Sequence, residues 1–111
     1  MTILDLSAMR SYLDGDHEEE REIIEIFLRK SKKDIEALEQ SIANESLGAW
    51  QQSSHSLKGS AAILGAKNVQ DLCQQAEAMS VFDLVLIRAH FQALNEAYQA
   101  LIKALSAENL I

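Results

Sequence analysis

Hydrophobic positions recur at helical spacing along most of the chain. In the first half, apolar or small positions alternate steps of four and three, and they are Ile24, Leu28, Ser31, Ile35, Leu38 and Ile42. The same spacing recurs near the C-terminal end, at Leu84, Ile87, Phe91, Leu94, Tyr98, Leu101 and Leu105. Steps of three and four place side chains on one stripe of an α-helix. The pattern therefore predicts two long amphipathic helices.

Two shorter stripes lie between these helices, one through Trp50, Leu57, Ala61 and Leu64 and the next through Val69, Leu72, Ala76 and Met79. The segment from Leu6 to Leu13 predicts a short fifth helix that caps one end. Turn and cap residues interrupt the stripes at Asp14–Asp16, Asn44–Gly48, Gly65–Asn68 and around Ser80. Connections this short join antiparallel neighbours. We predict an all-α fold, an up-down antiparallel four-helix bundle with a short additional N-terminal helix.

The composition favours a single helical domain and argues against nucleic-acid-binding, membrane-spanning and metal-binding proteins. The 111 residues contain no proline and four glycines, and we expect a single domain over 1–111, with a capping segment at 1–15 and the bundle at about 16–106. The net charge of -7 repels nucleic-acid phosphates, and no apolar run reaches the roughly 18 residues of a membrane span. Because Cys73 is the only cysteine and His17 and His90 lack partners at metal-ligand spacing, we expect no disulfide and no metal site. A cytoplasmic monomer that binds neither nucleic acid nor membrane is expected.

The most informative residue is His55, on the third predicted helix. At roughly 100° per residue, the core stripe of this helix lies about 180 to 240° from His55, so the imidazole faces outward. Lys58, three residues on, can bring its ammonium close to any group attached to the ring. Gly59 leaves bare backbone one turn away, although glycine costs a helix about 1 kcal/mol relative to alanine. The polar or small residues on the same side predict a surface for partner docking, and they are Gln51, Gln52 and Ala62.

These features favour a site without specifying its reaction. A neutral imidazole is a competent nucleophile near neutral pH. Ser54 cannot pair with His55 as in a serine hydrolase, because adjacent helical residues point about 100° apart. The chain has no Walker loop and no kinase glycine-rich loop. Any phosphate would therefore come from another protein, and we expect no independent catalytic site.

The stretch HSLKGSAAILGA, which begins at His55, resembles the signature of histidine-containing phosphotransfer (HPt) domains, and the resemblance extends from EIFLRKSKKDIEALEQSI through LCQQAE to the last helix. It implies that His55 is phosphorylated, that Lys58 is a cation facing the phosphoryl group and that Gly59 provides clearance. Glu77, twenty-two residues after His55, corresponds to a residue that accepts a hydrogen bond from the imidazole Nδ1, which leaves Nε2 free to attack phosphorus. The family often has Ala where this chain has Ser54, and we expect a mild effect.

The function implied by the resemblance is that of a phosphoryl carrier in a two-component phosphorelay. Its partners are expected to be receiver domains of response regulators or hybrid histidine kinases, which supply the aspartate and Mg²⁺, so the chain needs no cofactor of its own. Two alternatives remain open at this point. One is the substrate domain of a chemotaxis-type histidine kinase, and the other is a noncatalytic helical adaptor or dimerisation module in which His55 is incidental.

Overall fold

The computed structural model describes residues 2–111, so that Met1 of the predicted capping segment lies outside it. This range contains five α-helices and no strand. They are α1 (Ser7–Leu13), α2 (His17–Ala43), α3 (Leu47–Ile63), α4 (Lys67–Glu77) and α5 (Leu84–Ala107). The predicted all-α bundle with a short N-terminal helix is confirmed.

The four longer helices form a ring, in which α2 packs against α3 and α5, and α4 packs against the same two. Contacts between α2 and α3 run in reverse order, since Lys30 contacts Ser60 and Asp34 contacts Ser56. Helix α2 has 27 residues, which correspond to about 40 Å at 1.5 Å per residue. This length accounts for the long dimension of the molecule, which measures 44 × 23 × 20 Å.

Side-chain caps set where the helices begin. Asp16 accepts a hydrogen bond from the backbone N–H of Glu19 at the start of α2, and Asp83 accepts two such bonds at the start of α5. Ser46 accepts from the N–H of Ala49, and α3 therefore begins at Leu47. The break predicted at Asn44–Gly48 is therefore shorter than expected, since Leu47 and Gly48 already belong to the first turn of α3.

The buried face of α3 is the predicted stripe, since Trp50, Leu57, Ala61 and Leu64 are completely buried. Trp50 also donates from its indole Nε1 to the carbonyl oxygen of Ala76 on α4, at 3.1 Å. A buried indole N–H needs such a partner. The apolar side of α3 is thereby oriented towards the core, and its opposite side towards solvent.

The buried stripe on α4 is the predicted one only in part, since Val69 and Ala76 belong to both and Cys73 takes the place of Leu72. Cys73 is completely buried beside Val69 and Ala76, whereas Leu72 and Met79 are only partly buried. The small thiol of Cys73 fits where α4 lies between α3 and α5. Burial raises the pKa of this thiol to about 12, so it acts as a packing residue.

The N-terminal segment is part of the same core. Leu6, Met9 and Leu13 are buried, and the backbone N–H of Asp5 donates to the carbonyl oxygen of Leu64 at 3.2 Å. The segment thus crosses the turn between α3 and α4. Within residues 2–111, none of the helices combines the length and apolar character needed to cross a membrane.

Candidate functional site

His55 stands on the solvent-facing side of α3, with 68% of its side chain exposed. Its Nδ1 lies 2.7 Å from Oε1 of Glu77, the last residue of α4. An ionised carboxylate can only accept hydrogen bonds, so Nδ1 carries the proton and donates. Nε2 then holds the lone pair, and it makes no hydrogen bond within residues 2–111.

Glu77 binds a second donor with its other oxygen. The ammonium of Lys58 lies 2.6 Å from Oε2 of Glu77 and 3.0 Å from Oε1 of Gln74. The hydrogen bond from Lys58, joined by that from His55, holds the pKa of Glu77 below its ordinary value against the opposing effect of partial burial. The carboxylate is therefore ionised at neutral pH, and it joins the imidazole to the ammonium.

Lys58, like His55, contacts α4 through its side chain. Lys58 is 27% exposed, and both of its hydrogen-bond acceptors are side chains of α4. Gln74 was not among the predicted site residues. It precedes Glu77 by three positions, so the two share one face of α4, and this spacing could have identified it once Glu77 was chosen.

Gly59 is exposed, and no steric contact within the described residues requires a glycine at this position. A Cβ atom built at this position would meet nothing within 4 Å. Glycine weakens a helix interior, and here internal packing gives no compensating advantage. The empty space lies one turn from His55, where an approaching protein could use it.

The three residues predicted to form a docking surface lie on the same side of α3 as His55. Gln51 is half-buried and donates from Nε2 to the carbonyl oxygen of Met79 at 2.6 Å, whereas Gln52 and Ala62 are exposed. Both glutamines line a shallow depression with His55, Glu77 and Gly48. The role of this surface in docking stays a prediction.

Sequence reasoning missed a second polar cluster, which joins α2 to α3. Asp34 on α2 is only 8% exposed, and Lys30, one turn before it, reaches across to α3. Its partners on α3 are Ser56 and Ser60. The available pattern was two pairs of polar residues four positions apart, Lys30 and Asp34 on α2 and Ser56 and Ser60 on α3. Their contacts with one another could be known only from the packing of the two helices.

Other candidate residues have structural partners. Ser54 is buried and donates to the carbonyl oxygen of Trp50 at 2.7 Å. Nε2 of His90 lies 2.7 Å from the carbonyl oxygen of Leu72. In the part of the chain that the structure describes, no three His, Cys, Asp or Glu side chains are grouped to hold a metal ion.

The family model of the Hpt domain matches residues 22–108. This range covers most of the chain and includes α3 and α4, which carry His55 and Glu77. Comparisons with curated proteins and with solved structures gave no significant match.

Proposed function

The chain belongs to the Hpt domain family, and from this premise we propose that His55 accepts a phosphoryl group from a receiver-domain aspartate and passes it to another. Hpt domains are phosphotransfer carriers of phosphorelays and do not act as independent catalysts. The observation that carries the proposal is the exposed imidazole, with Nδ1 bound to Glu77 and Nε2 free. This is the arrangement that a nucleophilic histidine requires.

The transfer uses the lone pair on Nε2. As the Nε2–P bond forms, the bond between phosphorus and the aspartyl oxygen breaks, and the aspartate leaves as a carboxylate with the electron pair. The ring keeps its Nδ1 proton and becomes positively charged. The Glu77 carboxylate, 2.7 Å away, stabilises that charge and fixes the tautomer. In the reverse step a second aspartate attacks phosphorus and His55 returns to its neutral form.

Lys58 supports the site through Glu77. Its hydrogen bond is the largest cause of the lowered pKa of Glu77, and an ionised Glu77 is the form that stabilises a cationic imidazole. The sequence-based role of Lys58 as a cation facing the phosphoryl group remains a proposal. It requires the phosphoryl oxygens to compete with Glu77 and Gln74 for the ammonium. We expect Lys58→Ala to slow transfer while the bundle stays folded.

The receiver domain supplies the remaining chemistry in this proposal, namely the aspartate and its Mg²⁺. The receiver would dock over the exposed side of α3, where Gly59 and Ala62 present little side-chain bulk beside His55. A close approach is needed because the attacking nitrogen and phosphorus must come within about 3.5 Å of each other. An unobstructed surface meets that need better than a deep cleft.

The test is incubation with a phosphorylated receiver domain, followed by analysis of the label on this chain. We expect a label that is lost in acid and retained in base, as for a phosphoramidate, and we expect His55→Gln to abolish it. His17→Gln is the matched control, because His17 is also highly exposed, with 90% of its side chain accessible. Absence of label on the wild-type chain, or its persistence in His55→Gln, overturns the proposal.

A second phosphoryl donor distinguishes a phosphorelay carrier from the substrate domain of a histidine kinase. An ATP-binding histidine kinase domain with ATP replaces the receiver in an otherwise identical incubation. We expect the receiver to label His55 and unlabelled receiver to remove the label again. Labelling by the kinase domain alone, with no exchange with receivers, would identify the kinase substrate domain instead.

A further inference from the structure

A cluster of four polar side chains joins α2 to α3 immediately beside His55. The ammonium of Lys30 lies 2.7 Å from Oγ of Ser56, 2.9 Å from Oγ of Ser60, 3.2 Å from the carbonyl oxygen of Ser56 and 3.2 Å from Oδ2 of Asp34. Ser56 in turn donates from Oγ to Oδ1 of Asp34 at 2.9 Å. We call Lys30, Asp34, Ser56 and Ser60 the seam cluster.

Stability alone does not account for the seam cluster. Asp34 and Ser60 are 8% and 6% exposed, so the carboxylate has lost most of its contact with water. Apolar residues of similar volume often stabilise a buried position as well as a charged partner does, or better, and in this pair only the carboxylate is buried, since the side chain of Lys30 is 50% exposed. The best-attested effect of a buried polar contact is to select one arrangement of the helices over others.

On the side of α3 that faces α2, the side chains are too small to restrict the rotation of the helix by steric packing. Ser53, Ser56 and Ser60 lie within about 60° of one another on this helix, and all three side chains are small. Ridges of large side chains that interdigitate with grooves normally determine how two helices pack. Where serines replace these ridges, hydrogen bonds to α2 refine the rotation of α3 that the buried face around Trp50 sets only broadly.

The rotation of α3 decides whether His55 reaches Glu77. Ser56 follows His55 directly, and it binds Lys30 through its backbone carbonyl as well as its hydroxyl. On the other flank, His55 and Lys58 bind Glu77 of α4. A rotation of about 20° displaces a side-chain tip, roughly 5 Å from the helix axis, by about 2 Å. That displacement would break the 2.7 Å contact between Nδ1 and Glu77.

We propose that the seam cluster is a positioning device for His55, which holds the rotation of α3 at which Nδ1 donates to Glu77 and Nε2 faces the partner. Lys30, Asp34, Ser56 and Ser60 are positioning residues, because they act on the imidazole through the backbone of α3. The expected effect on phosphotransfer rests on the proposed function of His55. The expected effect on the imidazole tautomer does not.

The test removes both charges of the cluster together, in Lys30→Met/Asp34→Leu, so that no unpaired charge stays buried. Two quantities are measured: the fraction of the Nδ1–H tautomer of His55 by ¹⁵N NMR without a partner, and the kinetics of transfer from a phosphorylated receiver. We expect a cooperative unfolding transition, a lower Nδ1–H fraction, and a maximal transfer rate reduced about tenfold or more, as misplacement of a reacting group by 1 Å or more produces. The receiver concentration at half-maximal rate should change less than about twofold.

Lys67→Met/Asp71→Leu is the matched control, because it removes an ion pair of the same i,i+4 spacing from the exposed surface of α4. We expect it to leave the tautomer and the transfer rate unchanged. Lys30→Arg retains a cation for Asp34 and Ser56, and we expect its maximal transfer rate to be much closer to that of wild type than the rate of the double variant is. Ser56→Ala is a smaller change that keeps the test decisive if the double variant does not fold, and it should shift both quantities in the same direction.

The outcomes separate this inference from the proposed function. An unchanged tautomer and maximal rate in a folded seam variant overturn the positioning role, even if His55 is labelled normally. A change confined to the receiver concentration at half-maximal rate also overturns it, since the cluster would then act in docking. If the wild-type chain is never labelled, the proposed function fails, and the tautomer measurement still decides whether the seam cluster positions His55.

Discussion

The two nitrogens of the His55 imidazole have different surroundings, and the difference comes from one carboxylate. Nδ1 is bound to Glu77 at 2.7 Å, whereas Nε2 lies on a side chain that is 68% exposed. Since Glu77 also binds Lys58, a change at either partner alters the charge that the other one experiences. At the scale of the residue, the site consists of one imidazole with an unbound Nε2 and one shared acceptor.

Gly59 gives a test of whether the space beside His55 is there for a partner. A Cβ atom would meet nothing within 4 Å, so we expect Gly59→Ala to raise the free energy of unfolding by about 0.5 to 1 kcal/mol. We expect Gly59→Leu to remain folded and to lose most of its phosphotransfer from a receiver, because the leucine side chain occupies the space left for the partner.

Unfolding in urea and the rate of transfer are the measurements for this prediction. Ala93→Leu places the same side chain on an exposed position of α5, and it should leave the transfer rate unchanged. Normal transfer by Gly59→Leu would mean that partners do not approach this part of α3.

Helix α4 is short, and its position is what brings Glu77 and Gln74 to the site. The turn between α3 and α4 contains Gly65 at φ +59°, a conformation that favours glycine. A Cβ atom at Gly65 would overlap the carbonyl oxygen of Asp5. The family match begins at residue 22, yet the segment before it forms one side of this turn.

Gly65→Ala should therefore destabilise the protein more than an equivalent change at another left-handed glycine. Gly15 has φ +83°, and a Cβ atom there would meet nothing within 4 Å. Gly15→Ala should cost about 1 to 2 kcal/mol for backbone strain, and Gly65→Ala should cost more because Asp5 must also move. Urea titrations of the two variants measure the loss in free energy of unfolding. Equal losses would contradict the prediction, because they would show that the N-terminal segment moves away from residue 65 without an energetic penalty.

The stability of the whole molecule should depend on pH through Glu77. Hydrogen bonds from Lys58 and His55 hold the pKa of this carboxyl below its ordinary value in the folded protein. The contribution of Glu77 to stability is therefore fully present above the unfolded pKa, and it is lost as the pH falls through the lower folded pKa. We expect Glu77→Gln to lower the free energy of unfolding at neutral pH, with a difference from wild type that shrinks below about pH 4.

Urea unfolding of both proteins between about pH 3 and pH 7 measures this difference. Asp71→Asn is the control, because it removes a more exposed carboxylate, 48% accessible, from the same helix. A difference between wild type and Glu77→Gln that stays constant over the whole range would exclude this origin of the acid dependence.

At the scale of the whole molecule, the helices and the outward direction of His55 follow from the sequence alone. Periodicity placed Trp50 and Leu57 inside and His55 outside, and both core residues are completely buried. Such predictions succeed because the spacing of residues along a helix is fixed by local backbone geometry. Glu77 was expected only from the family resemblance, since nothing in the periodicity of α4 relates it to His55.

Only the tertiary structure decided which charged groups meet. It brought the ammonium of Lys58 to Glu77 and Gln74, and it buried Asp34 against α3. It also joined Lys30 to Ser56, twenty-six residues away along the chain. These contacts depend on how each helix rotates about its axis against its neighbours, and that rotation is decided by the packing of all the helices together.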